Sequence, residues 1–260
     1  MSGGRIRTAS ASAPTRIDLA GGTLDIWPIS AMVEDVRRFE AAGIPVVNCV
    51  NRMAGRFVSF VGSDDVAVGY TAARALIEGL GGQGCIVALD GLPGAPTARD
   101  RTVGLRQALA ESPAVRLLGS GVGAFQQPPA RLAMARLLAE HPRIDGVWTG
   151  NDLMAFGALE ALADSGRSAQ VVGINGLPGA IERIEAGTML ASVDFSAFNI
   201  AAIAARAALR HLGGEPVPAQ IMIPAVLIDR TNHRAWQVPF AARPLTAWED
   251  VVGGCSVAHK

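Results

Sequence analysis

The sequence predicts an α/β fold, a parallel sheet covered by helices on both faces, and two observations carry that expectation. Short apolar runs at 44–50, 57–61, 85–89, 115–118, 146–148 and 170–174 read as strands, and helical segments at 66–80, 98–110, 131–140 and 152–165 separate nearly all of them. Such alternation builds βαβ units, whose crossovers cover both faces of a sheet and leave its strands as near-continuous apolar runs. The second observation is the capping chemistry at the helix ends, which falls where the alternation requires it.

Taken in order, Val33, Val36 and Phe39 recur at helical spacing before Gly43, a glycine suited to close a helix. The strand at 44–50 follows. Asp64 or Asp65 can cap the helix that begins near Val66, because a carboxylate accepts from backbone N–H groups left over at a helix start. Asn151 can cap the helix beginning at Asp152, and Gly166 and Gly213 can close helices. The alanine-rich segment 196–212 carries an apolar stripe of Ile200, Ile203 and Leu209, as a helix packed on a sheet would. Two short strands are expected at 221–223 and 226–228. From Asn232 onward Trp236, Pro239, Pro244 and Trp248 show no periodicity, and a tail laid over the surface is expected.

Composition narrows the function classes. With 260 residues, half of them hydrophobic, the chain can bury one large core or two modest ones. Its 23 basic and 23 acidic side chains cancel, without the basic run that marks a nucleic-acid binder, and a neutral small ligand fits better. Cys49, Cys85 and Cys255 lack the spacing of a zinc site or a disulfide framework, and His141, His211, His233 and His259 have no partner at metal-ligand spacing. No metal and no cofactor are expected. Ser63, Ser120 and Ser192 have no nucleophile-elbow frame, so no catalytic role is expected either. No run is long enough for a membrane span, and no signal peptide is read at the N-terminus.

Ligands of open parallel sheets gather outside the carboxyl ends of the strands. Those ends carry Asn51 and Arg52, Asp90, Phe125, Asn151 with Asp152, and Asn175. Amides, a guanidinium and an aromatic ring are groups that recognise a polyol: Asn donates and accepts, Arg offers a rigid fork, and Phe covers the apolar face of a sugar ring. Each of them taken alone is equally a turn or cap former.

The stretches AGIPVVNCVNR (42–52), GSDDVAVGYTAARAL (62–76), GAPTARDRTVGLRQAL (94–109), HPRIDGVWTGNDLMAFGALEAL (141–162) and VVGINGLPGAIERIEAGTMLASVD (171–194) resemble, in order, ribose-type periplasmic sugar-binding proteins of ABC transporters. The likeness runs from residue 33 to 236 and implies the periplasmic-binding-protein type I fold: two doubly wound lobes, a three-strand hinge and one sugar in the cleft. It implies that Asn51 and Arg52 hold sugar hydroxyls from the first lobe, with Arg101, the aromatic wall Phe125, and the pair Asn151 and Asn175 doing so from the second. Where ribose-type relatives commonly have Asp this chain has Asn51 and Asn175, which points away from ribose and leaves other sugars and polyols open. Phe195, beside Asp194, stands where that family often has Gln. The implied partners are a sugar or polyol and the membrane subunits of an ABC transporter, with no nucleic acid, and a monomer is expected.

By that family's hinge positions, 64–194 and 225–236 form the second lobe, 33–63 and 195–224 a partial first lobe, and 237–260 a C-terminal tail. The first lobe is expected to be incomplete, less stable than the second, and weaker in sugar affinity than full-length relatives. Residues 1–32 form an N-terminal segment in which RIRTASASAPTRIDLAGGTLDIWP (5–28) resembles the first motif of the galactokinase, homoserine kinase and mevalonate kinase superfamily. That chemistry needs a phosphate loop, and GLGGQG (79–84) follows a helix and precedes a strand, the reverse of the order a phosphate site requires. Three alternatives therefore stand behind sugar binding for uptake: a sugar-sensing regulator of the lactose-repressor type, a small-molecule kinase, and a non-functional truncated fusion. A periplasmic location follows from the resemblance, and a cytoplasmic one from the signal peptide not being read.

Overall fold

Two parallel sheets organise the chain, of which the computed structural model describes residues 36–239 and 242–252. Helical residues 36–41 (α1) precede β1 (Val47–Cys49) and β2 (Ser59–Gly62); these two strands pair in parallel, and β2 pairs on its other side with the distant β8 (Gln220–Met222). The larger sheet is built from β3 (Gly84–Asp90), β4 (Val115–Val122), β5 (Gly146–Thr149), β6 (Gln170–Ile174), β7 (Ala191–Asp194) and β9 (Val226–Ile228). Its order is β4-β3-β5-β6-β7-β9, parallel throughout except for the last pair.

The helices are α2 (Asp65–Gly79), α3 (Pro96–Ala110), α4 (Gln127–Glu140), α5 (Asp152–Asp164), α6 (Pro178–Ala186), α7 (Ala197–Leu212) and α8 (Trp248–Val252). Asp64 caps α2 by accepting from Ala67 N at 3.0 Å, and Asn151 caps α5 by accepting from Met154 N at 2.9 Å. At the end of α7 the left-handed turn falls on Gly214 (φ +77°), one residue beyond the expected Gly213, which stays right-handed. Helix α6 and strand β7 had no expectation of their own: one is 9 residues long, the other a 4-residue Ala-Ser-Val-Asp run buried on both faces, too short to show periodicity.

Side chains alternate between two cores on the two faces of the larger sheet. Along β3, Ile86 and Ala88 face one core and Val87 and Leu89 the other; on β5, Trp148 and Val147 divide the same way. The first core continues onto the smaller sheet through Val61, Ile221 and Ile223 and onto α7 through Ile200 and Ile203. It also receives Trp248, 6 % exposed, so the segment expected to lie over the surface inserts a large side chain. An indole is worth burying wherever it fits, and no local pattern announces the fit.

Among the described residues, three segments join strands of one sheet to strands of the other, after β2, β7 and β8. Ser63 ties them together, its hydroxyl lying 2.9 Å from Phe195 O and 3.0 Å from Ile223 O. Helices α2 and α3 cross at Gly69 and Gly104, where an added Cβ would stand 2.1 Å from Arg101 O and 2.0 Å from Val66 O. That backbone contact sets where Arg101 emerges.

Candidate functional site

Adjacent parallel strands of the larger sheet end on one edge, where Asp90 and Asp194 close β3 and β7 and Phe125, Asn151 and Asn175 stand in the loops that follow β4, β5 and β6. Arg101 reaches that edge from α3. It is 4 % exposed, donates from Nε to Asp65 Oδ1 and from Nη1 to Gly150 O, both at 2.8 Å, and lies 4.9 Å from the centre of the Phe195 ring. One guanidinium thus joins α3, the start of α2, the loop after β5 and a segment between the sheets. Burial pushes the Asp65 carboxyl above its ordinary range, against the opposing charge and hydrogen bond of Arg101.

Asn151 is held at both ends of its amide: Oδ1 caps α5, and Nδ2 donates to Phe125 O at 3.0 Å. The Phe125 ring, expected as an aromatic wall, is 1 % exposed and packed in the second core. It lies so close over Gly91 that a Cβ there would meet ring Cζ at 2.2 Å. Asn175 adopts φ 133°, a backbone that L side chains rarely take, while its N–H donates to Val193 O at 2.9 Å. The next residue is braced from below, because Gly176 N donates to Ser192 Oγ, which donates to Asp152 Oδ1 at 2.7 Å; Leu177 N donates to Asp152 Oδ2. Asp152 is fully buried, and burial raises its pKa to about 6 despite those hydrogen bonds.

On the smaller sheet, Asn51 and Arg52 follow β1. Asn51 Oδ1 is buried without a hydrogen-bond partner among the described residues. Arg52 stacks 4.0 Å over the Phe60 ring and donates to Gln220 Oε1 at 3.1 Å. Between the sheets lies a cavity of about 230 Å³ lined by Arg52, Phe60, Gln220 and Met222 from the smaller sheet, Ser63 and Asp65 from the crossing, and Thr97 and Asp100 from α3. Of the six candidate residues, Arg52 lines this cavity and Arg101 stands one hydrogen bond behind it through Asp65; Phe125, Asn151, Asn175 and Asn51 do not line it.

Sequence reading missed Asp65, Ser63 and Gln220 as parts of this region, and named Phe195 without a role. The signal for Asp65 was its doublet with Asp64, since one carboxylate suffices to cap a helix and the other is left for a different partner. The arrangement can recognise a solute through amides, a stacked guanidinium and a buried ion pair, all held in place before any ligand arrives.

A family model described as a periplasmic binding protein domain matches residues 30–216. The ribose import binding protein of Bacillus subtilis (strain 168) is 32% identical over 200 residues, which are 76% of this chain and 65% of that protein. The chain therefore spans just under two thirds of the length of that relative. Among solved structures, an ABC transporter periplasmic solute binding protein from Actinobacillus succinogenes 130z with bound D-allose aligns with a TM-score of 0.75 and 28% identity, covering 78% of this chain and 76% of that one. An ABC transporter solute binding protein from Bacillus halodurans C-125 with bound myo-inositol aligns with a TM-score of 0.76 and 27% identity over 80% and 74% of the two chains. The kinase-like motif at 5–28 lies before the matched region and outside the described residues.

Proposed function

Because the chain belongs to the periplasmic binding protein family, we propose that it binds a sugar or polyol between its two sheets, for uptake by an ABC transporter. The observation that carries the proposal is the cavity between the sheets, with Arg52 on one wall and Asp65, bonded to Arg101, on the other. Its volume of about 230 Å³ lies below the range of about 300 Å³ and upward usual for drug-sized ligands, and suits a small solute. Neutral hydroxyls satisfy such groups without bringing a charge that the buried Asp65 and Arg101 would have to accommodate.

In this reading Arg52 takes hydroxyls from the first lobe and Asp65, oriented by Arg101, from the second, while Asn151 and Phe125 support the second lobe's edge and Asn51 and Asn175 lie outside the cavity lining. Contacts from both lobes favour the closed state, which the transporter recognises. The lobe divisions near residues 63, 195 and 224, a monomeric state and a periplasmic setting belong to the same proposal. The family is one of binding proteins rather than enzymes. None of the relatives reported above supports the small-molecule kinase or the regulator.

Calorimetric titration with a panel of pentoses, hexoses, inositols and linear polyols is the test. Saturable heat with one class, lost in Arg52→Ala and Arg101→Ala, is expected. Heats at the level of dilution for the whole panel would overturn the proposal.

A further inference from the structure

The chain continues past β9, the last strand among the described residues, and residues that follow are anchored on both sides of the hinge. On the side of the larger sheet, Trp236 Nε1 donates to Asp194 Oδ2 at 2.9 Å, and Arg243 Nη2 donates to Gly176 O at 3.0 Å. Arg243 Nη1 also stands 3.6 Å from Asp194 Oδ2. Three residues later the anchors change sides. Thr246 N donates to Asn199 Oδ1 on α7 at 2.9 Å, and the buried Trp248 lies 4.8 Å under the Arg210 guanidinium of the same helix. Helix α7 packs on β1 and β2 of the smaller sheet, and α8, which Trp248 begins, packs on β8.

We infer that residues 242–252 form a fourth crossing between the lobes, a short tie that restrains their relative motion and positions the Asn175 turn through Arg243. Only Pro244 and Leu245 separate the last anchor on one side from the first on the other, and proline holds its own φ fixed. Hinged lobes move when a few residues in the crossing segments change φ and ψ. A tie this short offers few torsions, so opening must either break an anchor or be limited by it. The same segment reaches the strand-end edge of the larger sheet: Gly176, directly after Asn175, is held at its N–H by Ser192 and at its carbonyl by Arg243. The importance of that second effect rests on the proposed binding site; the restraint does not.

The test lengthens the tie without removing an anchor, by inserting a flexible Gly-Ser linker between Pro244 and Leu245. Spin labels on Leu132→Cys in α4 and Leu212→Cys in α7, positions 65 % and 73 % exposed, report the distance between lobes in a background with the native cysteines replaced. The expected result is a distance distribution that shifts and broadens in the linker variant. Arg243→Ala, which frees one anchor, should shift it in the same direction and speed amide exchange at Gly176, with Arg243→Lys falling between. Distributions that superimpose in the linker variant, or in Arg243→Ala if the linker variant does not fold, would overturn the tie. No sugar is needed for this readout, so a silent titration panel would reject the proposed function and leave the tie standing, and the converse also holds.

Discussion

Arg101 Nε donates to Asp65 Oδ1 across 2.8 Å, joining the second turn of α3 to the first residue of α2, with both side chains almost wholly shielded from water. A pair in that setting is costly to break, because the partner left behind is a buried charge with nothing to answer it. Arg101→Ala should destabilise the protein by about 3 to 5 kcal/mol, and the double variant with Asp65→Ala should recover part of the loss. Urea midpoints of the wild type, both single variants and the double variant measure it. Strictly additive losses would show that the pair does not couple.

The crossing of α2 over α3 makes the second prediction. A Cβ at Gly104 would stand 2.0 Å from Val66 O, a backbone atom that cannot swing aside. Gly104→Ala should therefore cost about 1 to 3 kcal/mol by overpacking, and in moving α3 it should also weaken ligand binding through Arg101. Thermal unfolding and the titration panel are the checks; an unchanged melting temperature would contradict the close crossing.

The third concerns pH. Asp152 ionises near 6 when folded, against about 3.9 in the unfolded chain. Between those values the folded state keeps a proton that the unfolded state has released, so this carboxyl contributes stability that is fully present below about 4 and is lost as pH rises through about 6. Its contribution is level above that. Measured as urea midpoints from pH 4 to 7, the stability of Asp152→Asn relative to wild type should rise across this window by about 3 kcal/mol. A difference that does not vary with pH would mean that Asp152 titrates normally.

Ser63 supplies the fourth. Its hydroxyl reaches carbonyls of both other crossing segments, Phe195 O and Ile223 O, and Ser63→Ala leaves them without that donor. A loss of about 1 kcal/mol is expected from one such hydrogen bond. Amide exchange should quicken at residues 194–197 and 222–226 while β3 and β5 keep their protection. Uniform acceleration across the larger sheet would instead indicate a general loss of stability.

Features with local causes were legible in the sequence. The strand at 170–174 coincides with β6, the helix from Asp152 begins behind its Asn151 cap, and the alanine-rich helix carries Ile200 and Ile203 inward, although Leu209 of the expected stripe is 70 % exposed. Caps and apolar periods depend on neighbours within about one or two turns, so a single segment contains them whole. Helix α6 and strand β7 were too short to show a period, and Gly214 took the turn expected at Gly213 because either of two adjacent glycines can do so.

Tertiary structure alone decided the rest. Arg101 meets a carboxylate 36 residues earlier and a carbonyl 49 residues later, Ser63 meets carbonyls 132 and 160 residues away, and Trp248 finds its place under Arg210. The residue types at these positions allow the contacts but do not specify them, since a guanidinium or an indole satisfies many partners equally well. The choice among partners is made by the path of the chain: two helices crossing at a pair of glycines, three crossing segments drawn together, and a C-terminal stretch passing from one sheet to the other. Local patterns set which elements form, whereas contacts across such separations exist only once those elements have packed, because packing is what brings distant residues within bonding distance.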